Sequence, residues 1–229
     1  MKLKAFMHQI NVLTLGALRA RSSLVFISAI ASLGMVQVAH AQSELNPNFF
    51  YMVKGEPIAR GISLGDPTNW STNIEGRSGE SAGGKISVAP IDFKAKGDAL
   101  QITWSPRKKI QGNLGLYGNA IDLSKYKNAA SITIDMRVDV KPNKDVRIGI
   151  DCGYPCRADL TINKMIRSMP KGEWFSLPLP LNCFKSDNFD LSKVAAPFTI
   201  STEGKFTMSV MNIRIEKLAE GEKGCADDK

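Results

Sequence analysis

The sequence predicts an all-β protein whose strands form a β-sandwich of the jelly-roll type. Hydrophobic and polar residues alternate through many short runs, and glycine- or proline-containing turns separate these runs. Helical periodicity is nearly absent. The 229 residues are 43 % hydrophobic and 23 % charged, which is ordinary for a folded protein and excludes disordered, collagen-like and coiled-coil chains.

The first 41 residues predict a signal peptide. Scattered basic residues precede an uncharged apolar run, Leu24–Val38, which is followed by Ala39-His40-Ala41. The apolar run is shorter than the ~20 residues that span a bilayer, although an uncleaved N-terminal anchor is the alternative. We therefore expect a secreted or periplasmic protein that begins near Gln42 and has no membrane span after cleavage.

The charge of the exported chain argues against a nucleic-acid partner. Residues 1–41 carry four basic residues and no acidic one, so their removal lowers the net charge from +8 to +4. The run Arg107-Lys108-Lys109 lacks interleaved aromatic residues and is interpreted as a solvated turn. Both histidines, His8 and His40, also lie in the removed segment, so the exported chain lacks the usual general base of nucleophilic triads.

The exported chain divides into three parts. Residues 42–57 form a leader segment whose aromatic cluster, Phe49-Phe50-Tyr51, is expected to dock on the domain. Residues 58–218 form the sandwich domain, and residues 219–229 form a polar tail. A chain of this length supports one domain with a real core.

Alternation is clearest in four segments: Leu100–Trp104, Ser131–Val140, Val146–Ile150 and Phe206–Val210. This period of two predicts half-buried antiparallel strands.

A further strand is predicted from Phe175 to Leu181. Pro178 and Pro180 cannot donate to a ladder, so this strand is expected at a sheet edge. The one predicted helix is short and lies around Asn163–Ser168.

Several ordered stretches carry a resemblance to a known family. They are Asp98–Ser105, Asp122–Ser124, Cys152–Cys156 with Asp159–Thr161, Pro170–Trp174, Leu179–Phe184, Asp190–Phe198 and Thr202–Arg214. From about Lys54 to Leu218 the chain resembles the ExoP-type galactose-binding-like domain, which is appended C-terminally to secreted family 3 glycoside hydrolases of the exo-1,3/1,4-β-glucosidase kind. The resemblance implies a galactose-binding-like β-sandwich with sugar affinity. The catalytic portion of those hydrolases has no counterpart in this chain.

The cysteines predict one disulfide. Cys152 and Cys156 lie in a turn after a strand, and an exported protein meets oxidising conditions, which favours a disulfide between them. Cys183 is expected to be a buried thiol, and Cys225 either pairs with it or stays free.

No cofactor is expected. A zinc site would need histidine or further cysteine ligands. A structural calcium ion remains open, because Asp92, Asp98 and Asp122 are loop carboxylates, although their spacing does not match a calcium loop.

Catalysis is not predicted. A glycosidase needs two carboxyl groups ~5–9.5 Å apart across a cleft. Asp135 and Asp139 lie on one face of a single strand, where they are expected to be solvated or paired with Arg137 and Arg147.

Three aromatic residues are candidate carbohydrate-binding residues, because a pyranose ring stacks its C–H face on an aromatic ring. Trp70 stands in a polar loop, Tyr117 lies in Leu116–Asn119, and Tyr154 lies in the cysteine loop. Trp104 shares the inward parity of its strand and is expected in the core, and Trp174 is interpreted as a packing residue.

The sequence therefore predicts an exported, non-catalytic carbohydrate-binding module. Its expected ligand is a glucan-type polysaccharide or oligosaccharide, and a family 3 glycoside hydrolase is a possible partner. The alternative is a structural domain that docks on a hydrolase or envelope protein without binding sugar. A minimal glycosidase is the third hypothesis.

Overall fold

The computed structural model describes residues 45–106 and 110–225, and the predicted signal peptide and the basic run at 107–109 lie outside them. The described part contains fourteen strands: β1 (Phe50–Val53), β2 (Glu56–Pro57), β3 (Arg60–Asp66), β4 (Asn69–Ile74), β5 (Gly79–Glu80), β6 (Ile86–Ile91), β7 (Ala99–Trp104), β8 (Gly112–Gly118), β9 (Ala130–Val140), β10 (Val146–Asp151), β11 (Arg157–Thr161), β12 (Trp174–Pro180), β13 (Ala196–Thr202) and β14 (Phe206–Lys217). One helix, α1, spans Asn163–Ser168, as predicted, and short 3-10 turns occupy Ser124–Tyr126, Leu181–Cys183 and Leu191–Lys193.

The strands form two antiparallel sheets that pack face to face, so the predicted β-sandwich is confirmed. Sheet A has the order β12-β9-β14-β7-β6-β5, with β1 and β2 added beside β14. Sheet B has the order β11-β10-β13-β8-β3-β4. No helix within the described residues is long and apolar enough to cross a membrane.

The long strands β9 and β14 form the centre of sheet A. β9 places Ile132, Ile134, Met136 and Val138 in the core, as its alternation predicts. In β14 a register shift lies between Val210 and Asn212. Because this bulge adds a residue, both halves of β14 keep their apolar side chains inward.

The core lies between the sheets and includes Trp104, as its inward parity predicts. This indole is fully buried, stacks on Phe206 at 5.4 Å between ring centroids, and donates from Nε1 to the Gly112 carbonyl at 2.9 Å. The bond satisfies the polar atom of a buried tryptophan.

The second half of the leader segment is part of sheet A. β1 pairs with β14, and Tyr51 and Met52 are buried in the core. Burial of two large side chains stabilises this part of the chain on the domain.

The predicted edge strand is confirmed. β12 pairs with β9 on one side only and forms an edge of sheet A. Pro178 and Pro180 leave that edge with fewer N–H donors, which protects it against further strand pairing.

Both cysteine pairs are disulfide-bonded, Cys152–Cys156 and Cys183–Cys225. The second bond answers the question that the sequence left open, because Cys183 is not a free thiol. It holds the tail on the domain together with Asn182, whose side chain accepts from the Cys225 backbone N–H at 3.1 Å.

Two buried charged side chains join loops at the end of the sandwich where β3 meets β4. Asp66 accepts from Ser81 Oγ at 2.6 Å and from the backbone N–H groups of Thr68 and Gly83 at 2.9 and 2.8 Å. Burial raises the pKa of Asp66, but the hydrogen bonds together have the larger effect and lower the pKa to about 2.

The second buried group is Lys85. Its ammonium donates to the backbone carbonyls of Ser105, Glu203 and Gly204 at 3.0, 2.8 and 3.4 Å. Burial lowers the pKa of Lys85, and the nearby Glu203 carboxylate acts in the opposite direction. The side chain therefore links the loop after β7 to the loop after β13.

Candidate functional site

A row of small residues crosses the outer face of sheet B. Gly149 pairs with Thr199, Thr199 pairs with Gly115, and Gly115 pairs with Ser63, so the row spans β10, β13, β8 and β3. Their neighbours along each strand point into the core. None of the four carries a large side chain, and the side chains of Tyr117 and Asp159 lie over Gly115 and Gly149. We call this row the trough.

Tyr117 lies across the trough. Its hydroxyl donates to Asp151 Oδ2 at 3.1 Å, and β13 lies between the strands that carry these two residues. The side chain must therefore extend along the sheet. It passes over Gly115, where a Cβ atom would lie 2.3 Å from Cε2 of the ring, so glycine provides the space for the tyrosine.

The Tyr117 hydroxyl stays protonated over the physiological pH range. Burial is the largest cause that raises its pKa, the charge of Asp151 and the hydrogen bond to it raise it further, and the result is about 12. The hydroxyl is thus a fixed donor to Asp151.

Asp151 also connects the trough to the cysteine loop. Its Oδ1 accepts from the Gly153 backbone N–H at 2.7 Å, and the Cys152 N–H donates to the Cys156 carbonyl at 2.9 Å. Tyr154 stands at the tip of this loop and is fully exposed. The structure therefore places Tyr117 and Tyr154 at the same end of sheet B.

Trp70 lies apart from the two tyrosines. It is on the edge strand β4, near the Gly65 end of β3, whereas Tyr117 pairs with Gly61 at the opposite end of β3. Its side chain is 55 % exposed. The structure does not bring the three predicted aromatic residues into one cluster.

Two polar atoms of the trough lack a hydrogen-bond partner within the described residues. They are Thr199 Oγ1 and Asn113 Oδ1, and both are shielded from solvent. Asn113 lies two residues before Gly115 on the same face of β8. Because nearly all buried polar atoms in proteins are satisfied, these two unpartnered atoms are exceptions that need a physical reason.

The sequence alone does not mark these residues as a site. Gly115, Gly149 and Thr199 give no motif individually, since they stand out only when strand register places them side by side. The signal that could have found them is the repeated occurrence of small residues at outward positions of neighbouring strands.

Charged residues border the trough. Arg157 and Asp159 form an ion pair with an N–O distance of 2.7 Å at its β11 side. At the end of sheet B away from Tyr117, a polar pocket of about 310 Å³ is lined by Gln111, Arg147 and Ser201, among others.

The expected ion pairing of β9 is partly wrong. Asp139 binds Arg137 at 2.6 Å, as predicted, but Asp135 binds Arg214 of β14 at 2.6 Å. Arg147 cannot take part, because β10 belongs to sheet B. Both carboxylates face outward on one strand, so they do not oppose each other across a cleft.

The three loop carboxylates stabilise turns. Asp98 accepts from three backbone N–H groups, and Asp92 and Asp122 accept from those of Gly97 and Ser124. Among the described residues, no group of three or more carboxylate, cysteine or histidine side chains is arranged to hold a metal ion.

Solved structures share this fold. The extra C-terminal domain of an exo-1,3/1,4-β-glucanase from a Pseudoalteromonas species matches with a TM-score of 0.62 and 15 % identity, over 78 % of this chain and 99 % of that domain. In the complete glucanase from that organism the match covers 77 % of this chain but 21 % of the enzyme. The family 30 carbohydrate-binding module of a cellulosomal cellulase from Clostridium thermocellum matches with a TM-score of 0.53 and 17 % identity, over 76 % of this chain and 99 % of the module.

No curated protein matches the chain significantly. The family model Exop_C, described as galactose-binding domain-like, matches residues 62–215, which includes nearly all of both sheets. The chain therefore belongs to the Exop_C family of galactose-binding domain-like proteins.

Proposed function

We propose that this protein is an exported, non-catalytic carbohydrate-binding module whose ligand lies in the trough. The observation that carries the proposal is the pair of shielded, unpartnered atoms, Thr199 Oγ1 and Asn113 Oδ1, on the face of sheet B over which the Tyr117 ring lies. A sugar ring matches this arrangement, because its C–H face contacts an aromatic ring while its hydroxyl groups both donate and accept. Tyr154, exposed at the end of the trough, provides a second aromatic contact.

The ligand is a glucan-type polysaccharide. The row from Gly149 to Ser63 crosses four adjacent strands, a distance of about 14 Å at ~4.8 Å per strand spacing. A row of this length suits an extended chain better than a single small sugar. The likeness to the extra domain of a β-glucanase supports this class of ligand and an accessory role beside a hydrolase.

Two further features support export. The predicted signal peptide precedes the domain, and both cysteine pairs are disulfide-bonded, which is typical of proteins that fold in oxidising compartments.

Isothermal titration calorimetry and affinity gel electrophoresis test the proposal with β-1,3-, β-1,4- and mixed-linkage glucans, and with an α-glucan for comparison. We expect binding to a β-glucan, at least tenfold weaker binding by Tyr117→Ala and a smaller loss by Tyr154→Ala. Trp70→Ala is a comparison variant, because it removes an exposed aromatic residue at the Gly65 end of β3, away from Tyr117.

Failure to bind any glycan would reject the proposal. If the protein instead co-purified with a hydrolase and bound no glycan, the docking alternative would replace it. Circular dichroism and thermal unfolding of each variant establish that a loss of binding is not a loss of fold.

A further inference from the structure

The outer face of sheet A carries a second pocket, on the opposite side of the sandwich from the trough. It has a volume of about 300 Å³ and its lining includes Phe93, Trp174, Asp135, Ser176 and Arg214. We call it the aromatic pocket. We infer that it is a second saccharide-binding site. The class of its ligand rests on the proposed function, whereas the location of the site does not.

Trp174 faces outward from sheet A and packs there against Phe93 and Arg137, in agreement with its interpretation as a packing residue. It pairs with Arg137 of β9, whose side chain is on the outer face, whereas the core of β12 is formed by Leu177 and Leu179. The Arg137 guanidinium lies 5.3 Å from the centre of the indole ring.

Phe93 completes the aromatic wall from another part of the chain. Its ring centroid lies 4.5 Å from that of Trp174, with 42° between the ring planes. The loop that carries Phe93 is held by Asp98, which accepts from the backbone N–H groups of Phe93, Lys94 and Ala95 at 2.7, 2.9 and 2.9 Å. The wall is therefore pre-organised, which lowers the entropic cost of binding.

The polar wall is also fixed. Asp135 accepts from Ser176 Oγ at 2.6 Å, from Asn212 Nδ2 at 2.7 Å and from Arg214 at 2.6 Å, so the two strands that flank β9, β12 and β14, hold one carboxylate. Burial raises the pKa of Asp135, but the three hydrogen bonds outweigh it and the pKa lies below its ordinary value. The carboxylate is charged at neutral pH and oriented.

One polar atom of the aromatic wall lacks a partner. Trp174 Nε1 is shielded from solvent and makes no hydrogen bond within the described residues. A buried N–H without a partner is costly, and a ligand hydroxyl that accepts from it would recover that free energy.

The residues that line the aromatic pocket favour a saccharide as its ligand. An entirely apolar ligand would bury Asp135 and Arg214 without new hydrogen bonds, which is unfavourable. A sugar ring offers an apolar face to Phe93 and Trp174 and hydroxyl groups to the polar wall. The volume lies at the small end of the range for ligand pockets, which favours a short saccharide over a long chain.

Two sites on opposite faces would let one molecule contact two glucan chains or two parts of one chain. Simultaneous binding of both sites raises the overall avidity without any new contact, provided that the polymer can reach both faces.

Calorimetry with a β-linked glucose disaccharide tests the inference in the full exported protein. We expect two sites per molecule, with Phe93→Ala removing one of them and Tyr117→Ala removing the other. Phe93 is a half-buried loop residue, so its truncation leaves the core of the sandwich unchanged.

A fluorescence experiment reports on the aromatic pocket separately. In a Trp70→Phe background the remaining described tryptophans are Trp104, which is fully buried, and Trp174. We expect the disaccharide to change the emission of this variant, and the change to disappear when Phe93→Ala is added.

The outcomes separate the two hypotheses. One binding site that is lost in Tyr117→Ala and unaffected by Phe93→Ala would overturn the inference and leave the proposed function intact. Binding that persists in Tyr117→Ala and is lost in Phe93→Ala would support the aromatic pocket and reject the trough. Absence of any saccharide binding would reject both.

Discussion

Replacement of Thr199 by valine should change stability and affinity in opposite directions. Thr199 is 1 % exposed and its Oγ1 has no hydrogen-bond partner within the described residues. Valine has nearly the same shape but carries no hydroxyl group. An unsatisfied buried polar group costs about 1–3 kcal/mol, so Thr199→Val should raise the free energy of unfolding by about 1–2 kcal/mol.

The affinity for the glucan should fall at the same time. In the proposed complex the Thr199 hydroxyl would bond to a sugar hydroxyl, and a net hydrogen bond contributes about 1 kcal/mol. Its loss corresponds to about fivefold weaker binding. A variant that is more stable and binds less well is expected only if the hydroxyl is unsatisfied in the free protein and satisfied by the ligand.

Thr72→Val is the matched control. Thr72 Oγ1 is also shielded and without a partner in the described part of the chain, but Thr72 pairs with the core residue Leu64 and lies outside the trough. This variant should be more stable with unchanged affinity. Urea unfolding and calorimetry measure both quantities, and a destabilised Thr199→Val, or one with wild-type affinity, would refute the reasoning.

Three further predictions concern the surroundings of the trough and the stability of the fold. Gly115→Ala should displace the Tyr117 ring, since a Cβ atom would lie 2.3 Å from it, and should weaken glucan binding in calorimetry more than it lowers the melting temperature. Serine at both Cys183 and Cys225 opens a link between residues 42 positions apart and should lower the free energy of unfolding by about 3–4 kcal/mol in urea titrations, whereas an unchanged midpoint would contradict the link. The pKa of Asp66, about 2, lies below its value in the unfolded chain, so Asp66 stabilises the fold above pH 4 and loses this effect as the pH falls towards 2. The variant Asp66→Asn should therefore be less stable than the wild type at pH 7 and should lose less stability on acidification.

The fold was predictable because its strands are long enough for alternation to be read. β9 has eleven residues and β14 has twelve, and their apolar positions repeat every two residues apart from the bulge. β12 was predictable for a different reason, since its two prolines exclude a central position in a sheet. The pairing of β1 with β14 was harder to foresee, because a four-residue strand carries almost no periodic signal.

The site was less accessible to sequence analysis because it depends on which strands are neighbours. Tyr117 could be identified as a candidate from its residue type, but Asp151, its hydrogen-bond partner, lies two strands away. Register likewise decides that Asp135 meets Arg214 and that Arg147 belongs to the other sheet. Trp70 was favoured for its polar surroundings, which correctly predict exposure but carry no information about proximity to the tyrosines.

The buried ammonium of Lys85 gives the sandwich an anchor that cannot be removed by a chelator. It gathers three backbone carbonyls from two loops, which is the kind of oxygen cluster that a bound calcium ion also holds together. Because this positive charge is part of the polypeptide, the junction forms at the same strength in calcium-poor and calcium-rich water.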